Sequence, residues 1–476
     1  MDNKIKRIKT KIVATLGPSS SNYETILSMA KSGVTVFRLN TSHGTKEDHK
    51  RKIEIIREAS RELNLYLAIL VDLQGPKIRV GELNAPVTIK QGDILKLRHG
   101  AEENGIIPVD YEGIAKDVKP EEKILLDDGK IGLKVIKIEN DTVFAEVLFG
   151  EILKARKGIN IPGTQASLPC VTERDKEYIK FAVDNNADFI ALSFVRNRED
   201  VLSAKKYMKE LNADIPVIAK IEKPQAVENL IDIMEESYGV MVARGDLGIE
   251  MSPEEVPIAQ KKIIKEASRQ RKTCIVATQM LESMIEEPIP TRAEASDVAN
   301  AILDGADAVM LSGETAAGKY PVQAVEMMKL ISENIETSTF CPEYLDLGVC
   351  DKYELTPQAI ANAAAKMAHD LNARAIFTFT HSGYTPRLLS KLKPQIPIIA
   401  ISDEPRTCRK LNLSWNIYPF FADWDTVLNQ ELLAKIDKLI LEKTSFKKDE
   451  RIIIIGSIPK LITGRTNFIR VHRIGA

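Results

Sequence analysis

Hydrophobic positions along the chain fall into short unbroken runs separated by amphipathic stretches. The runs are "KIVATLGP" (11–18), "VTVFRLNTSH" (34–43), "YLAILVDL" (66–73), "ADFIALSFV" (187–195), "IPVIAKIE" (215–222), "YGVMVARGD" (238–246), "KTCIVATQM" (272–280) and "ADAVMLSGE" (306–314). Apolar, β-branched residues at successive positions are the pattern of strands covered on both faces. The stretches between them read as helices: one carries Ile26, Leu27 and Met29 and stops at Gly33, and a charged one runs near 47–63. Eight parallel strands joined by helical crossovers predict an α/β TIM barrel.

Residues 76–170 break this rhythm. "GELNAPVTIKQGDILKLRHG" and "EKILLDDGKIGLKVIKIENDTVFAEVLFG" alternate apolar and polar positions between Gly, Asn and Asp turns, the pattern of a small antiparallel β domain. Inserted after the third strand, it stands where a barrel carries a loop on its C-terminal face, so it is a candidate lid. Beyond about residue 337 an irregular linker leads into a second series: helix 357–371, "AIFTFT" (375–380), helix 384–392, "IPIIAIS" (396–402), "WNIYPF" (415–420), helix 425–442, "RIIIIG" (451–456) and "TNFIRVHRI" (466–474). This reads as a separate α/β domain. The expected division is a barrel over 1–75 and 171–337, a lid over 76–170 and a C-terminal domain over 338–476.

Composition narrows the function classes. The 476 residues are 44% hydrophobic, enough for a large core in two or three domains. Lys and Arg (66) nearly cancel Asp and Glu (67), so no global basic field recruits nucleic acid or a membrane surface. The basic start "MDNKIKRIKTKIVATLG" has too short an apolar run for a signal peptide, and no segment is long and apolar enough to span a bilayer. Cys170, Cys274, Cys341, Cys350 and Cys408 are scattered without metal spacing. A reducing cytoplasm is the expected location.

A TIM barrel does its chemistry at the C-terminal strand ends. Those ends present Arg38, Asn40, Ser42 and His43, then Asp72, Ser193, Lys220 with Glu222, Arg244 with Asp246, Thr278 with Gln279, and Ser312 with Glu314. Glu222 and Asp246 are hard oxygen donors suited to Mg²⁺ or Mn²⁺. Singly, each reads more simply as an ion pair, Lys220–Glu222 or Arg244–Asp246. The glycine-flanked "ARGDLG" turn favours the metal reading, since ligand oxygens can approach its backbone N–H groups. Arg38 and Lys220 bring fixed positive charge of the kind phosphoryl transfer requires. Thr278 and Ser312 are hydroxyls able to carry a proton, though each taken alone reads more simply as a strand-end cap for the helix that follows. His43 in "NTSHG" reads more simply as a solvated or backbone-bonded turn histidine.

Taken in order, "TLGPSS", "FRLNTSHG", "VDLQGPKIR", "IAKIEKPQAV", "VARGDLGIE", "ATQMLESM", "PTRAEASDVANAILDGADAVMLSGETAAGKYP" and "TNFIRVHRI" resemble the motif set of the pyruvate kinase family over nearly the whole chain. The resemblance implies a barrel, a capping β domain and a C-terminal α/β domain, assembled as a homotetramer. It also implies transfer of the phosphoryl group of phosphoenolpyruvate to ADP, then protonation of the enolate to pyruvate. By position, Arg38 would hold the phosphoryl group, Lys220 would stabilise it in flight, and Glu222 and Asp246 would hold Mg²⁺. The N–H groups of Gly245 and Asp246, with Thr278, would bind the substrate carboxylate. Thr278, Ser312 and Glu314 would lie near the proton's path. Asn40, Thr41, Ser42, His43, Arg79 and Arg174 would face the nucleotide; Arg174 stands where the family commonly has lysine.

Two further expectations follow from the resemblance. The family's monovalent-cation pocket corresponds to Asn40, Ser42, Asp72 and the carbonyl of Leu73. Its hinge typically reads like "TKGPEIR", whereas this chain has Leu73, Gln74 and Lys77, as in members that work without K⁺. Lys77 would supply that charge itself. In the C-terminal domain, "FTHSGYTPR" (379–387) offers Thr380, Ser382, Gly383 and Thr385 at a strand-to-helix turn, and Arg465 in "TGRT" would join them around a phosphorylated effector. A capped helix without ligand fits that turn equally well. Two other classes compete: a barrel lyase with a metal-bound enolate, which has no use for a lid or Arg38, and a non-catalytic metabolite sensor, which would show damage at Lys220, Glu222, Asp246 or Thr278.

Overall fold

The computed structural model describes residues 8–475 except 104, 165–166, 341–344, 346, 348–353, 423–429, 444–445 and 458–465. The eight apolar runs form a closed barrel, in the order Lys11–Thr15, Ala308–Leu311, Thr273–Ala277, Gly239–Ala243, Val217–Ile221, Phe189–Leu192, Ala68–Asp72 and Val34–Asn40. All neighbours pair in parallel. The unbroken hydrophobicity has a simple cause. Val13, Val36, Leu70, Ile218, Met241 and Ile275 fill the interior, while Ile12, Leu39, Ile69, Val71, Val240 and Val276 pack outward on the helices. Arg38, Asn40, Asp72 and Lys220 lie on the last residues of their strands, whereas Ser193, Glu222, Asp246, Thr278, Ser312 and Glu314 sit in the turns that follow. Two of these turns are themselves helical: Arg244–Glu250 begins where Gly239–Ala243 stops, and Gly313–Ala316 follows Ala308–Leu311 after a single residue.

Between the third and fourth barrel strands lies a seven-stranded sheet, whose edges approach through a Val80–Val109 bridge to give a nearly closed barrel. Most of its pairs are antiparallel, but Ile94–His99 and Ile106–Val109 run parallel. Gly100 and Gly105, at φ 124° and 73°, turn the chain back so that it re-enters in the same direction.

The C-terminal sheet has the order Ile417–Phe421, Ile398–Ser402, Ile376–Phe379, Arg451–Gly456, Phe468–Arg473, with only the last strand antiparallel. It seats against the N-terminal floor of the large barrel, opposite the polar mouth. Leu413 is part of the barrel's interior cluster. Two carboxylates at strand starts anchor the contact. Asp307 meets Lys391 and Lys393, and Asp188 meets Arg57 and Arg409, with both aspartates wholly buried. A short helix, Pro405–Leu411, belongs to this interface and had no counterpart in the hydrophobic pattern.

Candidate active site

At the mouth, Arg38 on the second barrel strand donates from Nε to Asp72 Oδ2 at 2.6 Å and from an η nitrogen to Thr15 Oγ1 at 3.0 Å. Asp72 lies directly opposite Asn40 in the strand register. Its backbone carbonyl accepts both the N–H and the hydroxyl of Thr41, at 3.0 and 2.9 Å. Its other carboxylate oxygen, Oδ1, is buried without a hydrogen-bond partner and stands 3.4 Å from Lys220 Nζ.

Lys220 is the hub. Its ammonium donates to Ser193 Oγ at 2.8 Å and pairs with Glu222 Oε1 at 2.8 Å. Burial alone would drive this lysine towards neutrality, but the carboxylates of Asp72, Glu222 and Asp246 outweigh it and hold the group above its ordinary range. Glu222 shows the converse. Burial raises its pKa, Lys220 draws it back, and Asp246 raises it further. Its Oε2 accepts the N–H of Phe194 at 2.7 Å, a residue held at φ 56°. A bulky residue in the left-handed region costs on the order of 1–3 kcal/mol, a strain tolerated where geometry is being enforced. Two like charges at one corner, Glu222 buried and Asp246 half-buried, are hard oxygen donors that suit a divalent cation completed by substrate oxygens. Among the described residues no group of three or more His, Cys, Asp or Glu side chains forms a self-sufficient metal cluster.

The other wall is strained as well. Thr278 and Gln279 are consecutive residues at φ 67° and 52°. This turn aims Thr278 Oγ1 at the N–H of Gly245, 2.8 Å away, in the first turn of the helix that carries Asp246. Arg244 does not pair with Asp246. It reaches back to the carbonyls of Thr278 and Gln279, at 2.7 and 3.1 Å, and to Asp297 at 2.5 Å, so it braces the strained turn and leaves Asp246 facing the cleft. Ser312 Oγ is buried with no partner, whereas Glu314 spends both oxygens on the N–H groups of Leu281 and Ser312.

Arg38, Asn40, His43 and Ser312 line one cleft of about 860 Å³. Arg174 donates to the Thr41 carbonyl at 3.0 Å and stacks on Tyr178. Asn40 Oδ1 accepts the N–H of Ser42 at 3.1 Å, and the His43 carbonyl meets His49. Arg79 lies on the lid, its N–H on Asp110 and its guanidinium on the Arg156 carbonyl. Lys77 makes no ion pair among the described residues. Its amine lies along the lid beside Gly158 and lines a second cleft with Asp128, Asp246 and Glu250, rather than reaching Asp72. The Leu73 carbonyl accepts Ser193 Oγ at 2.7 Å. In the C-terminal domain, Thr380 Oγ1 caps Gly383 N–H at 2.9 Å and Thr385 meets Thr466. Ser382 is exposed, and Arg465 lies outside the described residues.

Sequence reasoning singled out Ser193 only as a strand end and missed Phe194, Thr15 and Asp297. The serine in "ALSFV" was a visible signal. Nothing in the sequence marks a phenylalanine for a left-handed backbone.

Fold and site together define a TIM-barrel enzyme with a lid over an oxyanion-binding mouth. The chain matches the family descriptions "Pyruvate kinase, barrel domain" over residues 7–325 and "Pyruvate kinase, alpha/beta domain" over 358–472. It is 40% identical to a pyruvate kinase of Corynebacterium efficiens, over 98% of both chains. With the pyruvate kinase of Geobacillus stearothermophilus it shares 41% identity, over 98% of this chain and 80% of the other. A crystal structure of a pyruvate kinase from Cryptosporidium parvum superposes with a TM-score of 0.91 at 35% identity, covering 100% of this chain and 98% of that one. The chain belongs to the pyruvate kinase family.

Proposed function

We infer that the chain transfers the phosphoryl group of phosphoenolpyruvate to ADP, yielding ATP and pyruvate. The observation that carries this reading is Lys220, a buried ammonium kept charged by three carboxylates and set beside Arg38 at the barrel mouth. Phosphoryl transfer needs charge placed in advance rather than a covalent nucleophile. Arg38 holds the phosphoryl oxygens, and Lys220 follows the charge as it moves. Glu222 and Asp246 would hold Mg²⁺ or Mn²⁺, which when bound supplies a Lewis acid for the phosphoryl and enolate oxygens. The Gly245 and Asp246 N–H groups bind the carboxylate once Thr278 Oγ1 yields its bond to Gly245. Thr278 and Ser312 are hydroxyls on the proton's route to the enolate carbon, and Glu314 fixes the Ser312 turn. Asn40, Thr41, Ser42, His43, Arg79 and Arg174 serve the nucleotide, under a lid that excludes water.

K⁺ independence belongs to the same reading. Asn40 Oδ1 and the Leu73 carbonyl are already engaged by protein donors, and Asp72 is faced by two cations. The Lys77 ammonium, which makes no ion pair among the described residues, would add a third as the hinge closes. A homotetramer with the three-domain division 1–75 with 171–337, 76–170 and 338–476 completes the proposal, together with a phosphorylated effector at the 380–385 turn. ATP formation from phosphoenolpyruvate and ADP, coupled to a reporter enzyme, tests the core claim. Its absence with intact folding would overturn it.

A further inference from the structure

Glu250 closes the helix Arg244–Glu250, an unfavourable place for a carboxylate. It stands at the negative end of the helix dipole and one turn beyond Asp246, so two like charges share a helix face. Its side chain is 2% exposed, and Oε2 is buried with no hydrogen-bond partner among the described residues. Burial of a half-satisfied carboxylate is costly, and nothing in the helix itself asks for one, so the reason lies across the fold. Oε1 accepts the Asn160 side-chain amide from the lid at 3.1 Å and pairs with the ammonium of Lys223 at 3.2 Å.

Lys223 is the residue after Glu222. The strands Val217–Ile221 and Gly239–Ala243 stay in register as far as Ile221 and Val242. Past that point Glu222 and Asp246 leave on separate segments, one leading into the helix Pro224–Glu228 and the other lying within Arg244–Glu250. Among the described residues no backbone hydrogen bond joins these two segments. The Lys223–Glu250 pair does join them: a cation next to Glu222 holds a carboxylate one helical turn from Asp246. Both partners are largely buried, at 14% and 2% exposed, so solvent screens the pair little. Lys223, Asp246 and Glu250 line one cleft, faced by Asp128 and Asn160 of the lid.

We propose that Lys223 and Glu250 are positioning residues for the divalent metal: their ion pair sets the separation of the Glu222 and Asp246 carboxylates that take it. The inference rests on the reading of those two carboxylates as the metal's ligands. Groups behind a ligand commonly tune metal affinity by about 10–100-fold. Position and electric field make opposite demands on Lys223. Through its charge alone the lysine repels a cation, so its removal would tighten metal binding. Through its hold on Glu250 it keeps the two ligand segments in place, so its removal weakens binding in spite of the lost repulsion.

Mn²⁺ alone, titrated into the full-length protein and followed by the electron paramagnetic resonance signal of the free ion, reads this without turnover. The parent should bind the ion, and Glu222→Gln should abolish that binding. Lys223→Met and Glu250→Gln should each weaken it roughly tenfold. Lys223→Arg, which keeps the pair, should stay within about twofold of the parent. The double variant Lys223→Met with Glu250→Gln leaves the net charge unchanged and neither partner charged without the other, so it serves where a single variant fails to fold. It too should bind roughly tenfold more weakly, although the field of the pair has not changed sign. Equal or tighter Mn²⁺ binding in Lys223→Met, or parent-like binding in the double variant, would overturn the positioning role and leave the ligand assignment standing. Unaltered binding in Glu222→Gln would instead remove the ligand assignment, and this inference with it.

Discussion

Lys220 Nζ stands 3.4 Å from Asp72 Oδ1 while Arg38 Nε holds Asp72 Oδ2 at 2.6 Å, so one buried carboxylate orients two cations. Those cations come from non-adjacent barrel strands, Val34–Asn40 and Val217–Ile221, and Asp72 on the third strand couples them. Lys220 is kept charged by its carboxylates where burial alone would discharge it, and both cations point towards the place where negative charge moves.

Lys220→Met should therefore fold and bind phosphoenolpyruvate but lose turnover. Removing one pre-placed stabilising group costs roughly 3–4 kcal/mol, or ~10²–10³-fold in rate. Steady-state kinetics with a separate binding titration checks it. Near-normal turnover would reduce Lys220 to an ion pair on the barrel rim.

Activity in Na⁺ or tetramethylammonium buffer should be complete without added K⁺, and Lys77→Glu should acquire K⁺ dependence. A tethered ammonium acts at an effective concentration on the order of millimolar or higher, with no ion to recruit. Strong K⁺ activation of the unmodified protein would remove this reading.

Asp307→Asn should destabilise the seam. Lys391 and Lys393 are both buried and share this one carboxylate, so the substitution leaves two cations without an anion. Breaking a buried pair typically costs about 3–5 kcal/mol. Urea denaturation monitored at Trp415, which packs against Lys393, should show an early transition. An unchanged midpoint would mean that the lysines find other partners.

Lys272 titrates near 8, chiefly because it is buried and also because Arg387 and Lys205 are close, against an ordinary value of 10.5. Between those values the unfolded chain binds more protons than the folded one, so stability gains from this group as pH rises through that window. The gain is on the order of 2 kcal/mol. The thermal midpoint of Lys272→Met, measured from pH 8 to 10.5, should lack the rise that the parent shows from this residue. Parallel curves would contradict it.

At the 380–385 turn, a sugar phosphate or nucleotide should act as an activator, shifting the substrate saturation curve to lower concentration, and Thr385→Ala should weaken that response. If a panel of such metabolites has no effect on either form, the Thr380–Gly383 bond is a helix cap and nothing more.

Much of this protein was written in its linear pattern. Eight doubly buried strands announce themselves as unbroken apolar runs, because a barrel strand meets side chains on both faces, and the polar residues closing each run follow from the fold's single open mouth. Lys220, Glu222, Asp246 and Arg38 could be named before any coordinates, since their charge at strand ends has no use in packing. What the pattern could not carry was pairing across long separations. Arg244 turned from its sequence neighbour Asp246 to Asp297 and the Thr278 turn, and Lys77 lay along the lid instead of at Asp72. The left-handed backbones of Phe194, Thr278 and Gln279 were equally invisible, because local propensity opposes them and only surrounding contacts impose them. The sharing of Asp307 by Lys391 and Lys393 came from tertiary structure alone: whether a charge has a partner depends on what folds up against it.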